Sequence, residues 1–258
     1  MSGSTRGAME APAIAPLPGG PVPYTLRHSP RARGLRVVIH PERGVVVTVP
    51  ATRSGRHDGE RRAVEFLGQR EPWLRRHLAA QAETAAAIAA RGGATDGGLV
   101  PFHGRLHRIR VVPAVSGIRR SDVARFDDEL VIHRVAADHR TDAAILEVWL
   151  RGEARAAIDG RVGAHAEALG VSPVGVALRD PRTRWGSAAR TRRLSFSWRL
   201  VLAPPEALDT VVVHELAHLR VFGHGPAFWA LVASRRPDHR TWRRWLHDHA
   251  TELHGALG

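Results

Sequence analysis

The run His214-Glu215-Leu216-Ala217-His218 constrains this chain more than any other feature, because its chemistry requires a helix beneath it. Imidazoles at i and i+4 of an α-helix stand about 6 Å apart along the axis and about 40° apart around it. They can therefore converge on one ion. Glu215, one step round from His214, falls beside that ion rather than on it, where its carboxylate can take a proton from metal-bound water. His224 follows His218 by six residues, and Gly223 before it supplies the stop that turns the chain back toward the pair. Pro204 and Pro205 open the helix, and Leu208, Val211, Val212, Leu216 and Leu219 keep a helical period, so it is predicted from Glu206 to about Val221. Val211 to Val213 before the motif and Phe228-Trp229 after it are the apolar flanks of a buried site.

The chain contains no Cys. That excludes a disulfide scaffold, an iron–sulfur cluster, a thiol nucleophile and every Cys-ligated zinc site. Ligands must come from His, Asp or Glu, and three neutral imidazoles with one open position suit a catalytic Zn²⁺. The spacing matches the metzincin pattern only in part. Val221 stands where that pattern has Gly, and the two Met residues, Met1 and Met9, both precede the motif, so no Met-turn follows.

Residues 1–21 are rich in Ala, Gly, Pro and Ser without periodicity and read as a disordered tail. Residues 22–98 read as a β-hairpin and helical region. Strands are predicted at Tyr24 to Arg27, Leu35 to Ile39 and Val45 to Val49, the last two joined by a turn at Pro41 to Gly44. A helical stretch over 60–90 breaks near Glu71 because of Pro72, and a turn follows at Arg91 to Gly98. Residues 99–139 read as a strand region, with segments at Leu99 to Phe102, His107 to Val112 and Leu130 to Val135. Residues 140–258 form the expected catalytic domain. It opens on a long helix from Asp142 to Leu169, capped by Thr141 or Asp142 and stopped by Gly170. Strands Val174 to Leu178 and Arg192 to Leu200 come next, then the motif helix and two short helices, Pro226 to Ser234 and Thr241 to Leu253. No repeat is visible in the sequence.

No apolar run reaches the ~18 residues of a membrane span, and the N-terminus lacks the pattern of a signal peptide, so a cytoplasmic protein without a membrane partner is expected. All 38 basic residues are Arg and the net charge is +13. Such a balance favours polyanionic partners, nucleic acid, nucleotide or acidic polypeptide, beside the plain reading of a solvated Arg-rich surface.

The strings Arg184-Trp185-Gly186-Ser187, Phe196-Ser197-Trp198-Arg199-Leu200, Val211 to Leu219, His224 and Phe228-Trp229 together resemble the YgjP-like metallopeptidase-domain family, related to the SprT-like zinc proteases. The specific motifs cover about residues 179–232, and a weaker pattern extends to about 22–250. The resemblance implies zinc ligands at His214, His218 and His224 and a catalytic Glu215. Three positions depart from the family pattern: Ala188 replaces a usual Cys, Ser197 a usual Asn, and Gly223 a frequent Asn. None removes a ligand.

The expected fold is α+β: a zincin-like domain with the HExxH helix and antiparallel strands, preceded by a small β-rich region with a helical segment. The expected function is zinc-dependent hydrolysis of a peptide or protein by Glu215-activated, zinc-bound water. Two alternatives are a zinc-dependent nucleotide or phosphoanhydride hydrolase and a basic, nucleic-acid-associated metalloprotein. Arg184, Trp185, Gly186 and Ser187 are candidate substrate-binding residues, on the view that an edge strand over the metal helix pairs with an extended substrate. Ser187 lacks the context of a nucleophile. Asp180 and Asp209 are candidate partners for the ligand imidazoles. His103, His107, His239, His247, His249 and His254 read as ordinary surface residues, and Trp229, Trp242 and Trp245 as core.

Overall fold

Ala13, Ala15 and Leu17 face one side of an extended segment, and across the Pro18-Gly19 turn Val22, Tyr24 and Leu26 face the same side. Alternation of this kind is what a half-buried hairpin requires. The computed structural model, which describes residues 9–40, 43–51 and 55–258, accordingly has strands β1 (Met9–Leu17) and β2 (Gly20–Ser29) where the composition suggested a tail. Ala and Pro carry too little apolar contrast for the period to show in the sequence. Residues 1–8 lie outside the described ones.

Strands β3 (Arg36–His40) and β4 (Gly44–Pro50) pair as the expected antiparallel hairpin, although Pro41 and Glu42 of its turn lie outside the described residues. Strand β2 joins β4 in parallel, giving the order β1-β2-β4-β3. Helices α1 (Gly55–Gly68) and α2 (Glu71–Ala90) follow, separated where Pro72 was expected to break the helix. Ala63, Leu67 and Leu74 pack with Val45, Val47, Val49 and the inward residues of β1 and β2 into one core.

A first unit ends at Thr84 and a second runs from Ala85 to Gly258. The division therefore falls inside α2 rather than at the Arg91–Gly98 turn. In the second unit, β5 (Leu99–Phe102), β6 (Arg105–Pro113), β7 (Asp122–Phe126) and β8 (Glu129–Arg134) take the order β5-β6-β8-β7, again with one parallel pair, β6 with β8. The same four-strand connectivity followed by a helix thus occurs twice. The sequence hides it because strand lengths and turn residues differ between the copies.

Residues 99–139 do not stand apart from the C-terminal region. Val100, Phe102, Ile109, Leu130 and Ile132 share one core with Ile145, Leu150, Trp198 and Leu208. Helix α3 (Asp142–Leu169) has the expected ends: Thr141 Oγ1 accepts from Ala144 N–H at 3.1 Å, and Gly170 takes φ 63°.

A third sheet, β10-β11-β9, consists of β9 (Gly175–Arg179), β10 (Gly186–Ala188) and β11 (Arg193–Ser197), with β10 antiparallel and β9 parallel to β11. All three sheets are therefore mixed, not purely antiparallel. The predicted strand over Arg192 to Leu200 gives way at Trp198 to a 3₁₀ turn, Trp198–Leu202, entered where Ser197 Oγ accepts from Arg199 N–H.

Helix α4 (Pro205–Ala217) carries the motif, followed by α5 (Pro226–Arg235), α6 (His239–Asp248) and α7 (Ala250–Gly255). One helix was expected over Thr241 to Leu253; the chain breaks it near His249. The architecture is α+β, and no described helix is long and apolar enough to cross a membrane.

Candidate metal centre and cleft

Helix α4 is buried along most of its length, with Ala207, Leu208, Val211, Val212, Leu216 and Ala217 in the cores beneath it. Burial on nearly every side fixes the rotation of the helix and so the direction of His214 and Glu215. The helix ends four residues before the predicted Val221. Beyond Ala217 the amides of Leu219 and Arg220 bond to the carbonyls three residues back, which tightens the last turn. Gly223 then takes φ 86°, a left-handed conformation that suits Gly, and delivers His224 to the helix end.

Nε2 of His214 lies 3.2 Å from Nε2 of His218 and 3.2 Å from Nε2 of His224. One ligand atom from each of the three imidazoles lies within 4.8 Å of the others, the only such group of His and carboxylate ligands among the described residues. Four ligands at the ~2.0–2.1 Å of a zinc–imidazole bond, set tetrahedrally, are about 3.3 Å apart. The two separations from His214 fit that donor set, and all three atoms lie within 4.8 Å of one another. Phe228, fully buried, touches all three rings: it stacks on His218 at 4.4 Å and meets His214 and His224 edge-on, each at 4.9 Å. Trp229 packs at 5.7 Å from His214 and 5.6 Å from His224.

Electrostatics agree with neutral ligands. Burial, then the neighbouring His218 and His224, push the pKa of His214 down to about 3. Burial and His224 lower that of His218 as well, opposed by a hydrogen bond to the Val221 backbone. Glu215 is only 6% exposed. Burial raises its pKa to about 7 against the opposing effects of Arg184 and the Ala188 N–H, which donates to its carboxylate.

Strand β10 lies over this carboxylate. Trp185 C=O accepts from Ser197 N–H and Ala189 N–H donates to Arg193 C=O, so by alternation the backbone groups of Gly186 and Ala188 point away from β11. The groups of Gly186 therefore lie on the unpaired edge of the sheet, while the Ala188 N–H is taken up by Glu215. A Cβ on Gly186 would lie 2.7 Å from Cγ and Oε1 of Glu215 and 3.0 Å from Cδ. Gly186 is therefore the space Glu215 occupies. Gly186→Ala is expected to displace the carboxylate and cut turnover more than ~10-fold, in line with the steep cost of small misplacements. Metal content should not change, because the nearest atoms all belong to Glu215; metal analysis beside a turnover assay checks both halves.

The other candidates divide. Arg184, Trp185 and Gly186 line a cleft of about 330 Å³ together with His214, Glu215, His224, Thr210, Val211, Arg243 and Leu246. Trp185 also stacks on His254 at 5.2 Å. Ser187 does not line this cleft; its Oγ meets Ser195 Oγ at 2.9 Å across the strand pair. Neither carboxylate expected to support the imidazoles does so. Asp209 meets His165 at 2.8 Å, Arg236 at 3.2 Å and Arg161 at 3.6 Å, while Asp180 takes Arg199 at 2.8 Å. Asp209 is five residues before His214 on the helix, which turns it toward α3 rather than the ligands. Arg243 reaches the cleft without any sequence signal, since nothing distinguishes it among 38 Arg residues.

The model of the family described as "YgjP-like, metallopeptidase domain" matches residues 33–249. No curated protein and no solved structure gave a match.

Proposed function

The chain belongs to the YgjP-like metallopeptidase-domain family, and from that premise we propose that it is a zinc-dependent peptidase with His214, His218 and His224 as ligands and Glu215 as general base. The observation that carries this reading is the meeting of the three imidazoles, with His214 Nε2 3.2 Å from Nε2 of both His218 and His224, beside one buried carboxylate. Zinc at such a site supplies Lewis acidity, polarising a carbonyl and acidifying water. Glu215 takes the proton of the attacking water and passes it to the leaving amine. Phe228 closes the inner side of the centre with apolar surface, which strengthens charge interactions within it. The backbone of Gly186 at the free edge of β10 offers an extended peptide a strand to pair with.

Cleavage of a mixed peptide library should stop on treatment with a zinc chelator and return with stoichiometric Zn²⁺ but not Mg²⁺, because three imidazoles disfavour a hard, oxygen-seeking ion. Cleavage indifferent to chelation would overturn the reading.

A further inference from the structure

Arg184 borders two recesses: the cleft over Glu215 and a second, of about 610 Å³, beside the β10-β11-β9 sheet. The register of the sheet explains the second recess. Ser187 faces Ser195, which faces Ala177, while Arg193 pairs with Gly175 and Arg179 with Ser197. These positions share one face by alternation. The other face carries Leu194, Phe196 and Leu178 into the core.

The recess is thus lined by Arg179, Arg184 and Arg193 with the hydroxyls of Ser187 and Ser195. Its one carboxylate, Asp180, is engaged by Arg199, which donates from Nε to Oδ1 at 2.8 Å and from a terminal nitrogen to Oδ2 at 3.1 Å. Among the described residues, Arg179, Arg184 and Arg193 make no ion pair within 4 Å, although Arg184 is near enough to Glu215 to lower its pKa. Many of the chain's other guanidiniums make one, such as Arg75 with Glu71, Arg134 with Asp142 and Arg155 with Asp159. Arg243, at the cleft itself, likewise makes no ion pair among the described residues and lies 4.2 Å over the Trp229 ring. A concave surface lined by charge of one sign concentrates its field on whatever enters.

Resting on the peptidase reading above, we infer that the enzyme selects acidic peptides, with a Glu or Asp side chain close to the scissile bond seated against Arg179, Arg184 and Arg193. A substrate strand added at the free edge of β10 continues the sheet, so alternate side chains fall over the face that bears Arg193 and Arg179. Guanidinium pairs with carboxylate in charge-assisted, often bidentate hydrogen bonds.

The test uses zinc-loaded full-length protein and matched peptides that differ only in Glu against Gln at successive positions. At one position Glu should raise kcat/KM about tenfold or more, the size expected of a charge-assisted contact, mainly through KM. The preference should collapse to about unity in Arg179→Gln/Arg193→Gln and weaken with added salt. It should persist in Arg119→Gln, an exposed Arg that does not line the recess. Fluorescence anisotropy with the same peptides on Glu215→Gln provides a binding readout free of turnover. Zinc content and circular dichroism of the double variant verify its fold.

Cleavage with no Glu-over-Gln preference, or a preference kept by the double variant, overturns the inference and leaves the peptidase reading intact. No cleavage of either peptide by zinc-loaded protein overturns both. Phosphate release from nucleoside triphosphates that depends on Arg179 and Arg193 would assign the recess to phosphate instead, overturning the acidic-peptide assignment.

Discussion

Glu215→Gln is expected to lower peptide turnover by about 10²–10⁴-fold, the usual range for loss of a general base, while zinc content and fold stay as in the wild type. Gln keeps the volume and shape of Glu, so it fits beneath Gly186, where no room exists for a larger group. Its carbonyl oxygen can still accept from the Ala188 N–H that holds the carboxylate. An amide also costs less to bury than an ionised carboxylate, so stability should not fall. What Gln lacks is a basic site for the proton of water. In the proposed site the three imidazoles are the ligands, which is why metal should remain when activity goes. Initial rates and metal analysis on one preparation separate the two effects.

His214→Ala is the complementary case. Its Nε2 is the atom 3.2 Å from both other imidazole nitrogens, and its ring packs against Phe228 and Trp229. Removing it leaves two donors and a gap in the apolar wall. Loss of a partner that merely orients a ligand typically costs 10–100-fold in metal affinity, so loss of the ligand itself should exceed about 100-fold. Turnover should fall with the metal, and excess Zn²⁺ should not restore it because the missing donor also opens the site to water. A competition titration against a chromophoric chelator measures the affinity directly.

The difference between these two variants was legible in the spacing of His214, Glu215, His218 and His224 alone. So were both ends of α3, where Thr141 and Gly170 act through local backbone chemistry that a sequence displays openly. Features settled by distant packing were not legible. The helical period of α4 continues through Leu219, yet the chain leaves the helix at His218 as the following amides turn to carbonyls three residues back. Strand β1 hides in Ala and Pro because the inward side of that hairpin needs only small residues at Ala13 and Ala15. Asp209 could be placed on the helix by counting, but its partner His165 comes from α3, 44 residues away. In the sequence the RWGS segment stands out for its Arg and Trp. Its Gly186, the residue that gives Glu215 its place, acquires meaning only once β10 is laid across α4.

The most direct test of the account is zinc stoichiometry and peptide cleavage measured on the same samples of wild type, Glu215→Gln and His214→Ala. The account predicts about one zinc per chain with cleavage, about one zinc without cleavage, and little of either, in that order. Near-full cleavage by Glu215→Gln, or wild-type zinc in His214→Ala, would contradict it.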